Sequence, residues 1–172
     1  MLLLSFQYSF IKCILFYIYF IFKSIFLDIM FSFSLTLVIL LIMSAHVISV
    51  VNQKGGVGKT TTSINLASFL AEASYKTLVI DLDPQANTTS GLGMSLSAND
   101  FTVYELLINN ISISDCLFST AFDNLDIIPS SRSLSGAEVE IVNFVSRETI
   151  LNSKLQEIFN IYDYVIIDCP PS

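Results

Sequence analysis

Cysteine, histidine and tryptophan are scarce in this chain of 172 residues, which has three cysteines, one histidine and no tryptophan. The cysteines Cys13, Cys116 and Cys169 form no C-x-x-C pair, and His46 has no companion. The sequence therefore gives no ligand set for zinc or for an iron–sulfur cluster, and no disulfide framework. Free thiols of this kind are typical of the cytoplasm, which is the predicted location.

Basic residues are also few, with 8 Lys and Arg against 15 Asp and Glu. Two of the lysines (Lys12 and Lys23) and one of the acids (Asp28) lie in the first 42 residues, so the balance from Ser44 onward is 6 against 14. A net charge of −8 over that stretch repels phosphate backbones, and its basic residues are not clustered. The residues present therefore predict no DNA-binding surface.

Charge is almost missing from residues 1–42, which are rich in Phe, Ile, Leu, Tyr and Ser. The segment is long and apolar enough to form one or two helices that span a bilayer. A secretory signal is another interpretation. Only three residues, 44–46, separate this segment from the next predicted strand, and they reach about 10 Å when extended. A membrane helix would press that strand against lipid headgroups, so we favour a mis-assigned start, with Met43 as the first residue of the domain.

A glycine-rich turn carries the strongest chemical signal in the chain. It reads K-G-G-V-G-K-T over residues 54–60 and follows an apolar, β-branched segment that begins at Val47. Glycines let successive backbone N–H groups converge on one concavity, and the N-terminus of the following helix makes it electropositive. The turn predicts a phosphate-binding loop, with Lys59 on the outer phosphates of a nucleotide and the Thr60 hydroxyl on Mg²⁺. The predicted nucleotide-binding residues are Lys54, Gly55, Gly56, Val57, Gly58, Lys59, Thr60 and Thr61.

The loop departs from the usual pattern G-x-x-x-x-G-K-[ST] at its first position, where the chain has Gln53 instead of glycine. It carries an additional lysine, Lys54, at the mouth of the loop. This departure indicates one branch of the phosphate-loop proteins and excludes the branches that keep the usual pattern.

Two apolar segments downstream end in carboxylates: residues 77–81 lead into Asp81 and Asp83, and residues 164–168 end at Asp168. Ligands of open α/β sheets lie outside the carboxyl ends of the strands, so we expect these acids to converge with the loop. Asp168 would hold Mg²⁺ through water, and Asp83 would orient the attacking water. The alternative, strongest for Asp81, is an acid that only caps the next turn.

Together these motifs resemble the ParA/Soj family of partition ATPases, which carries a deviant phosphate loop with an additional lysine. The similarity runs from about Met43 to Ser172, and the D-L-D-P-Q-A-N-T-T-S-G-L-G segment at 81–93 favours the partition branch over the MinD and nitrogenase iron protein branches. It rests on residues 51–62, 81–93, 128–130, 136–140 and 168–172.

The resemblance implies a Mg-ATP-dependent ATPase that hydrolyses ATP as a sandwich dimer. Lys54 would reach the nucleotide of the partner subunit and Asp83 would position the water, which makes these two the predicted catalytic residues. Thr60, Asp81 and Asp168 would complete the magnesium site. The resemblance further implies a ParB-like centromere-binding partner and non-specific DNA, with nucleoid association for a full-length protein.

The predicted fold class is an α/β P-loop NTPase with a mostly parallel sheet and helices on both faces. A helix is predicted from Thr60, another over 102–108 with capping oxygens from Asn99 and Asp100, and a third over 147–160. The predicted strands are 47–51, 77–81, 125–129 and 164–168.

Residues 43–172 would be the N-terminal part of a ParA-type domain, truncated after the strand that ends at Asp168. Two other functions stay open from the sequence. One is a non-catalytic relic of such a gene, and the other is a membrane-attached nucleotide-binding protein that uses residues 1–42.

Overall fold

A five-stranded sheet organises the part of the chain that the structure, a computed structural model, describes: residues 45–142 and 144–171. The predictions made for residues 1–42 lie outside this range. The strand order is β1-β5-β2-β4-β3, with β3 antiparallel to β4 and the other neighbours parallel. The strands are β1 (His46–Val50), β2 (Thr77–Asp81), β3 (Phe118–Ser119), β4 (Leu125–Ile128) and β5 (Tyr164–Asp168).

Helices lie between successive strands except between β3 and β4, and this confirms the predicted α/β class. Two 3₁₀ turns, at Ile113–Cys116 and Arg147–Thr149, complete the connections. The helices are α1 (Lys59–Glu72), α2 (Asn87–Gly91), α3 (Val103–Ile108), α4 (Leu134–Ile141) and α5 (Ile150–Leu155).

The three inner strands β2, β4 and β5 are largely buried, as expected of a parallel sheet covered by crossover helices. Successive side chains point to opposite faces, so Leu78 and Ile80 pack in one core and Val79 packs in the other. The first core also holds residues of α3, α4 and α5, and the second holds Ala67 and Ala71 of α1. Helices therefore lie on both faces of the sheet, which confirms the predicted layering.

The structure corrects two of the predicted helices. The cap of α3 is Thr102, not Asn99 or Asp100, because Thr102 and Glu105 form a reciprocal capping box in which Glu105 accepts from the Thr102 N–H at 2.7 Å. The helix predicted over 147–160 is α-helical only at Ile150–Leu155. The amides of Glu157, Ile158 and Ile161 bond three residues back (Ile158 to Leu155, at 3.1 Å), which tightens the chain into turns.

Strand β5 lies between β1 and β2, and this position determines where the site forms. Val50 of β1 and Asp81 of β2 are both in register with Asp168, so three strands end side by side. In the described residues β1 pairs only with β5, and its Val47 and Ile48 are 42% and 36% exposed. The opposite edge is closed by the two residues of β3, which were not predicted.

The longest helix among the described residues, α1, has 14 residues. None of the helices in this part of the chain combines the length and the apolar character that crossing a bilayer requires.

Replacing Ile166 by alanine is expected to lower the free energy of unfolding by about 2–5 kcal/mol, because it removes a fully buried side chain and leaves a cavity in the sheet. Urea unfolding of the full chain, followed by circular dichroism, measures the loss. Ile161→Ala is the matched control, since Ile161 is 50% exposed and we expect a change within about 0.5 kcal/mol. An equal loss in both variants would show that β5 is not the centre of the core.

Candidate nucleotide site

The glycine-rich loop joins β1 to α1 and adopts the conformation that a phosphate cradle needs. Gly56 and Gly58 have φ angles of 69° and 89°, a region that residues with a Cβ atom rarely adopt. Gly58 caps α1 without any side-chain hydrogen bond, so the first N–H groups of the helix keep no partner from that cap. The Lys59 side chain curls back over the loop, where Nζ donates to the carbonyl oxygen of Lys54 at 3.3 Å.

A cavity of about 430 Å³ opens in front of this loop. A Cβ atom built at Gly55, Gly56 or Gly58 would meet no atom within 4 Å, so the loop borders open space that phosphate oxygens can occupy. Of the predicted nucleotide-binding residues, Lys54 and Val57 are exposed and lie outside the lining. The cavity is lined by Gly55, Gly56, Gly58, Lys59, Thr60, Thr61, Asp83, Asn87 and Pro171.

Asp168 is only 1% exposed and does not line the cavity itself, but it contacts the lining residue Thr60. One carboxylate oxygen, Oδ2, accepts from the Thr60 hydroxyl at 3.0 Å and from the Thr88 hydroxyl at 2.6 Å. The other, Oδ1, accepts from the Ser63 hydroxyl at 3.0 Å. The structure therefore brings together Thr60 and Asp168, two of the predicted magnesium residues, although they are far apart in the chain.

The third predicted magnesium residue, Asp81, is fully buried beside the cavity. Its Oδ1 accepts from the Asp83 N–H at 3.1 Å, and its Oδ2 accepts from the N–H and the hydroxyl of Thr89 at 2.9 and 2.8 Å. Burial raises the pKa of the Asp81 carboxyl, and the hydrogen bonds from Thr89 oppose that rise. Asp81 thus anchors the turn in this structure, and its role toward Mg²⁺ stays a prediction.

Asp83 lies in the cavity lining and is partly exposed. Its Oδ1 accepts from the Gln85 N–H at 2.9 Å, which fixes the carboxylate at the start of the turn after β2. This carboxylate is therefore available to a group bound in the cavity.

Four residues of the site were not predicted from the sequence: Ser63, Asn87, Thr88 and Pro171. Ser63 lies one turn after Thr60 on α1, and that spacing was a usable signal because residues i and i+3 share a helix face. Thr88 and Asn87 belong to the N-T-T part of the 81–93 segment, where no local pattern shows that a hydroxyl meets an acid 80 residues away.

The donor set fits Mg²⁺. This ion prefers hard oxygen ligands, keeps several waters, and is usually shared between one or two protein groups and the phosphates of a nucleotide. The Thr60 hydroxyl and the Asp168 carboxylate supply such oxygens next to the phosphate cradle. In the described residues no group of three or more His, Cys, Asp or Glu side chains could hold a metal by itself, so the ion would depend on the nucleotide as well.

The comparison with protein families covers the whole described region. Residues 45–172 match AAA_31, an AAA domain family. The chain belongs to this family. Its resemblance to the ParA/Soj partition ATPases is also confirmed, because curated relatives with these names match the same region closely.

The sporulation initiation inhibitor protein Soj of Bacillus subtilis is 47% identical over 126 residues, which are 73% of this chain and 50% of Soj. The chromosome-partitioning ATPase Soj of Treponema pallidum is 52% identical over 122 residues, 71% of this chain and 47% of that protein. The chain thus spans about half the length of the curated relatives it matches.

Solved structures share the fold, and two of them contain a bound nucleotide. The Cyanothece McdA–ATP complex aligns with a TM-score of 0.72 and 32% identity, over 75% of this chain and 49% of that one. Cobyrinic acid a,c-diamide synthase of Mycobacterium smegmatis, with a bound ATP analogue and magnesium, aligns with a TM-score of 0.71 and 37% identity, over 74% of this chain and 52% of that one. The synthase structure therefore shows an ATP analogue and magnesium bound together in a protein of this fold.

Proposed function

We propose that this chain carries the Mg-ATP site of a partition ATPase of the ParA/Soj class and that it hydrolyses ATP as a sandwich dimer. One observation carries the proposal: the phosphate loop, Asp83 and the Thr60–Asp168 pair meet at one cavity. Each group comes from the carboxyl end of a different strand, which is where parallel α/β sheets bind ligands.

The phosphate loop and Lys59 would bind the phosphates of the nucleotide. The loop glycines and the first residues of α1 line the cavity, where their backbone N–H groups would bind phosphate oxygens. The Lys59 ammonium would offset the negative charge of the outer phosphates. Bound Mg²⁺ would supply positive charge that offsets the negative charge on the phosphates during transfer. Thr60 and Asp168 would hold it, with Asp81 as the more remote carboxylate.

Hydrolysis needs a water in line with the outer phosphate. Asp83 is the one carboxylate among the described residues that line the cavity, and it would accept a hydrogen bond from that water and orient it. Lys54 is exposed and does not line the cavity of its own subunit, which favours a role toward the nucleotide of a second subunit. A cation supplied by the partner subunit would make turnover depend on dimerisation.

The relatives extend the proposal to partners. The Treponema pallidum relative is a chromosome-partitioning ATPase. On this likeness we propose a ParB-like centromere-binding partner, non-specific DNA as a second partner, and a cytoplasmic location. The described residues offer no basic cluster for DNA, so that contact would require sequence beyond them.

The test is ATP hydrolysis by the full chain and by its Asp83→Asn variant. We expect Asp83→Asn to keep ATP affinity and to lower turnover by about a hundredfold, because only the orientation of the water is lost. Mant-ATP fluorescence measures the affinity, and phosphate release measures the turnover.

Asp123→Asn is the control for this test, since Asp123 is exposed in the turn before β4. A wild-type chain that binds ATP without hydrolysing it would overturn the proposed activity and favour the relic. A chain that is recovered only with membranes would favour the membrane-attached alternative.

A further inference from the structure

Asp168 holds both ends of the turn that carries Asp83. We call residues 82–88 the Asp83 segment. At its start, the Leu82 N–H donates to the backbone oxygen of Asp168 at 2.9 Å. At its end, the Thr88 hydroxyl donates to the Asp168 carboxylate at 2.6 Å. One residue of β5 therefore fixes the entry and the exit of the segment.

The Thr88 contact is a strong one. A hydroxyl–carboxylate distance of 2.6 Å is typical of charge-assisted hydrogen bonds, and both Thr88 and Asp168 are shielded from water. In such surroundings a hydrogen bond is stronger than in water, and its loss leaves a buried carboxylate with one donor fewer.

Thr88 donates to the same acceptor as Thr60, one of the proposed magnesium residues. The same oxygen, Oδ2 of Asp168, accepts from Thr60 and from Thr88. A change in the position of Thr60 or in the rotamer of Asp168 must therefore alter the geometry at Thr88, and through it the Asp83 segment.

The neighbouring residue extends this link to β2 and β4. The Thr89 hydroxyl donates to Asp81 at 2.8 Å and accepts from the Ser130 N–H at 2.9 Å. The short helix α2 thus ties the ends of β5, β2 and β4 together.

We propose that Thr88 is a positioning residue, whose hydroxyl couples the Thr60–Asp168 pair on the metal side to Asp83 on the water side. This inference rests on the proposed function for the identity of the ligand. Thr88 acts through Asp168 and does not itself line the cavity.

The test compares Thr88→Val, which keeps the shape but removes the donor, with Thr88→Ser, which keeps the donor. In the ligand-free full chain, amide hydrogen exchange over residues 82–91 should become about tenfold to a hundredfold faster in Thr88→Val. Exchange in α3 should stay unchanged, and Thr88→Ser should behave as the wild type. Thr62→Val is the control, since Thr62 is exposed on α1.

A second readout concerns the metal side. Mant-ATP binding is measured at increasing Mg²⁺ concentrations. The Mg²⁺ concentration that gives half of the maximal effect on binding should be about tenfold to a hundredfold higher in Thr88→Val than in the wild type, as for other residues that orient metal ligands. Affinity for mant-ATP in EDTA should not change, because the phosphate loop is untouched.

Unchanged exchange over residues 82–91 in Thr88→Val would overturn the inference, whatever the nucleotide does. So would a Thr88→Ser variant as impaired as Thr88→Val, since side-chain volume and not the hydroxyl would then matter. A wild-type chain that binds no mant-ATP would refute the proposed function alone, because the exchange measurement still decides whether the Thr88 hydroxyl holds the Asp83 segment.

Discussion

Lys59→Ala is expected to abolish measurable ATP binding. The Lys59 ammonium lies at the cavity with its carbon chain already folded over the loop, and a bound nucleotide would receive it in place of the Lys54 carbonyl. Two charge-assisted hydrogen bonds to phosphates, at about 1.5–3 kcal/mol each, correspond to a loss of about 10² to 10⁴ in affinity. Mant-ATP titration of the full chain measures this loss.

Lys76→Ala is the matched control for Lys59→Ala. Lys76 is exposed and precedes β2, so it lies at the opposite end of the sheet from the cavity. We expect its affinity for ATP to equal that of the wild type. An affinity of Lys59→Ala close to that of Lys76→Ala would contradict the assignment of the phosphate loop.

Lys54→Ala is expected to keep ATP binding and to lose turnover by a factor of about 10³ or more, as when a catalytic cation from a partner is removed. The physical reason is that Lys54 is exposed and does not line the cavity of its own subunit. Its backbone N–H and carbonyl groups form hydrogen bonds within the loop, which the substitution leaves in place. Phosphate release at increasing protein concentration measures the effect, since turnover per chain should rise with concentration only in the wild type.

A mixture of Lys54→Ala and Asp83→Asn chains gives a sharper version of this test. In a two-fold symmetric dimer each mixed pair contains one intact site, built from Lys54 of one subunit and Asp83 of the other. Random mixing should restore about a quarter of the wild-type turnover, because half of the dimers are mixed and each has one working site of two. No recovery, or an equal loss of ATP affinity in Lys54→Ala and Lys59→Ala, would show that Lys54 acts within its own subunit.

The local features of the site could be predicted from the sequence. The phosphate loop is contiguous, and its glycines and lysines have a direct chemical reason. The apolar segments before Asp81 and Asp168 end within one residue of the observed strands because β-branched runs with terminal acids leave little choice. The convergence of these strands follows from the general geometry of parallel sheets.

The contacts that cross the fold could not be predicted. The hydrogen bonds of Thr60, Ser63 and Thr88 to Asp168 join residues 108, 105 and 80 positions apart, and no periodicity encodes such pairs. The two-residue strand β3 has too few residues to show an alternating pattern. The end of α5 depends on a change to shorter-range hydrogen bonds, which apolar spacing alone does not reveal.

The strand order also affects how the chain folds during its synthesis. Every residue of β1 pairs with a residue of β5 that lies 118 positions later, such as Val50 with Asp168. At typical rates of synthesis of 5–20 residues per second, β1 waits on the order of ten seconds for the strand that completes its ladder. During this interval an apolar, β-branched strand is exposed with its phosphate loop unformed, and such segments aggregate readily. Capture of nascent chains by chaperones should therefore be strongest before residue 168 emerges from the ribosome.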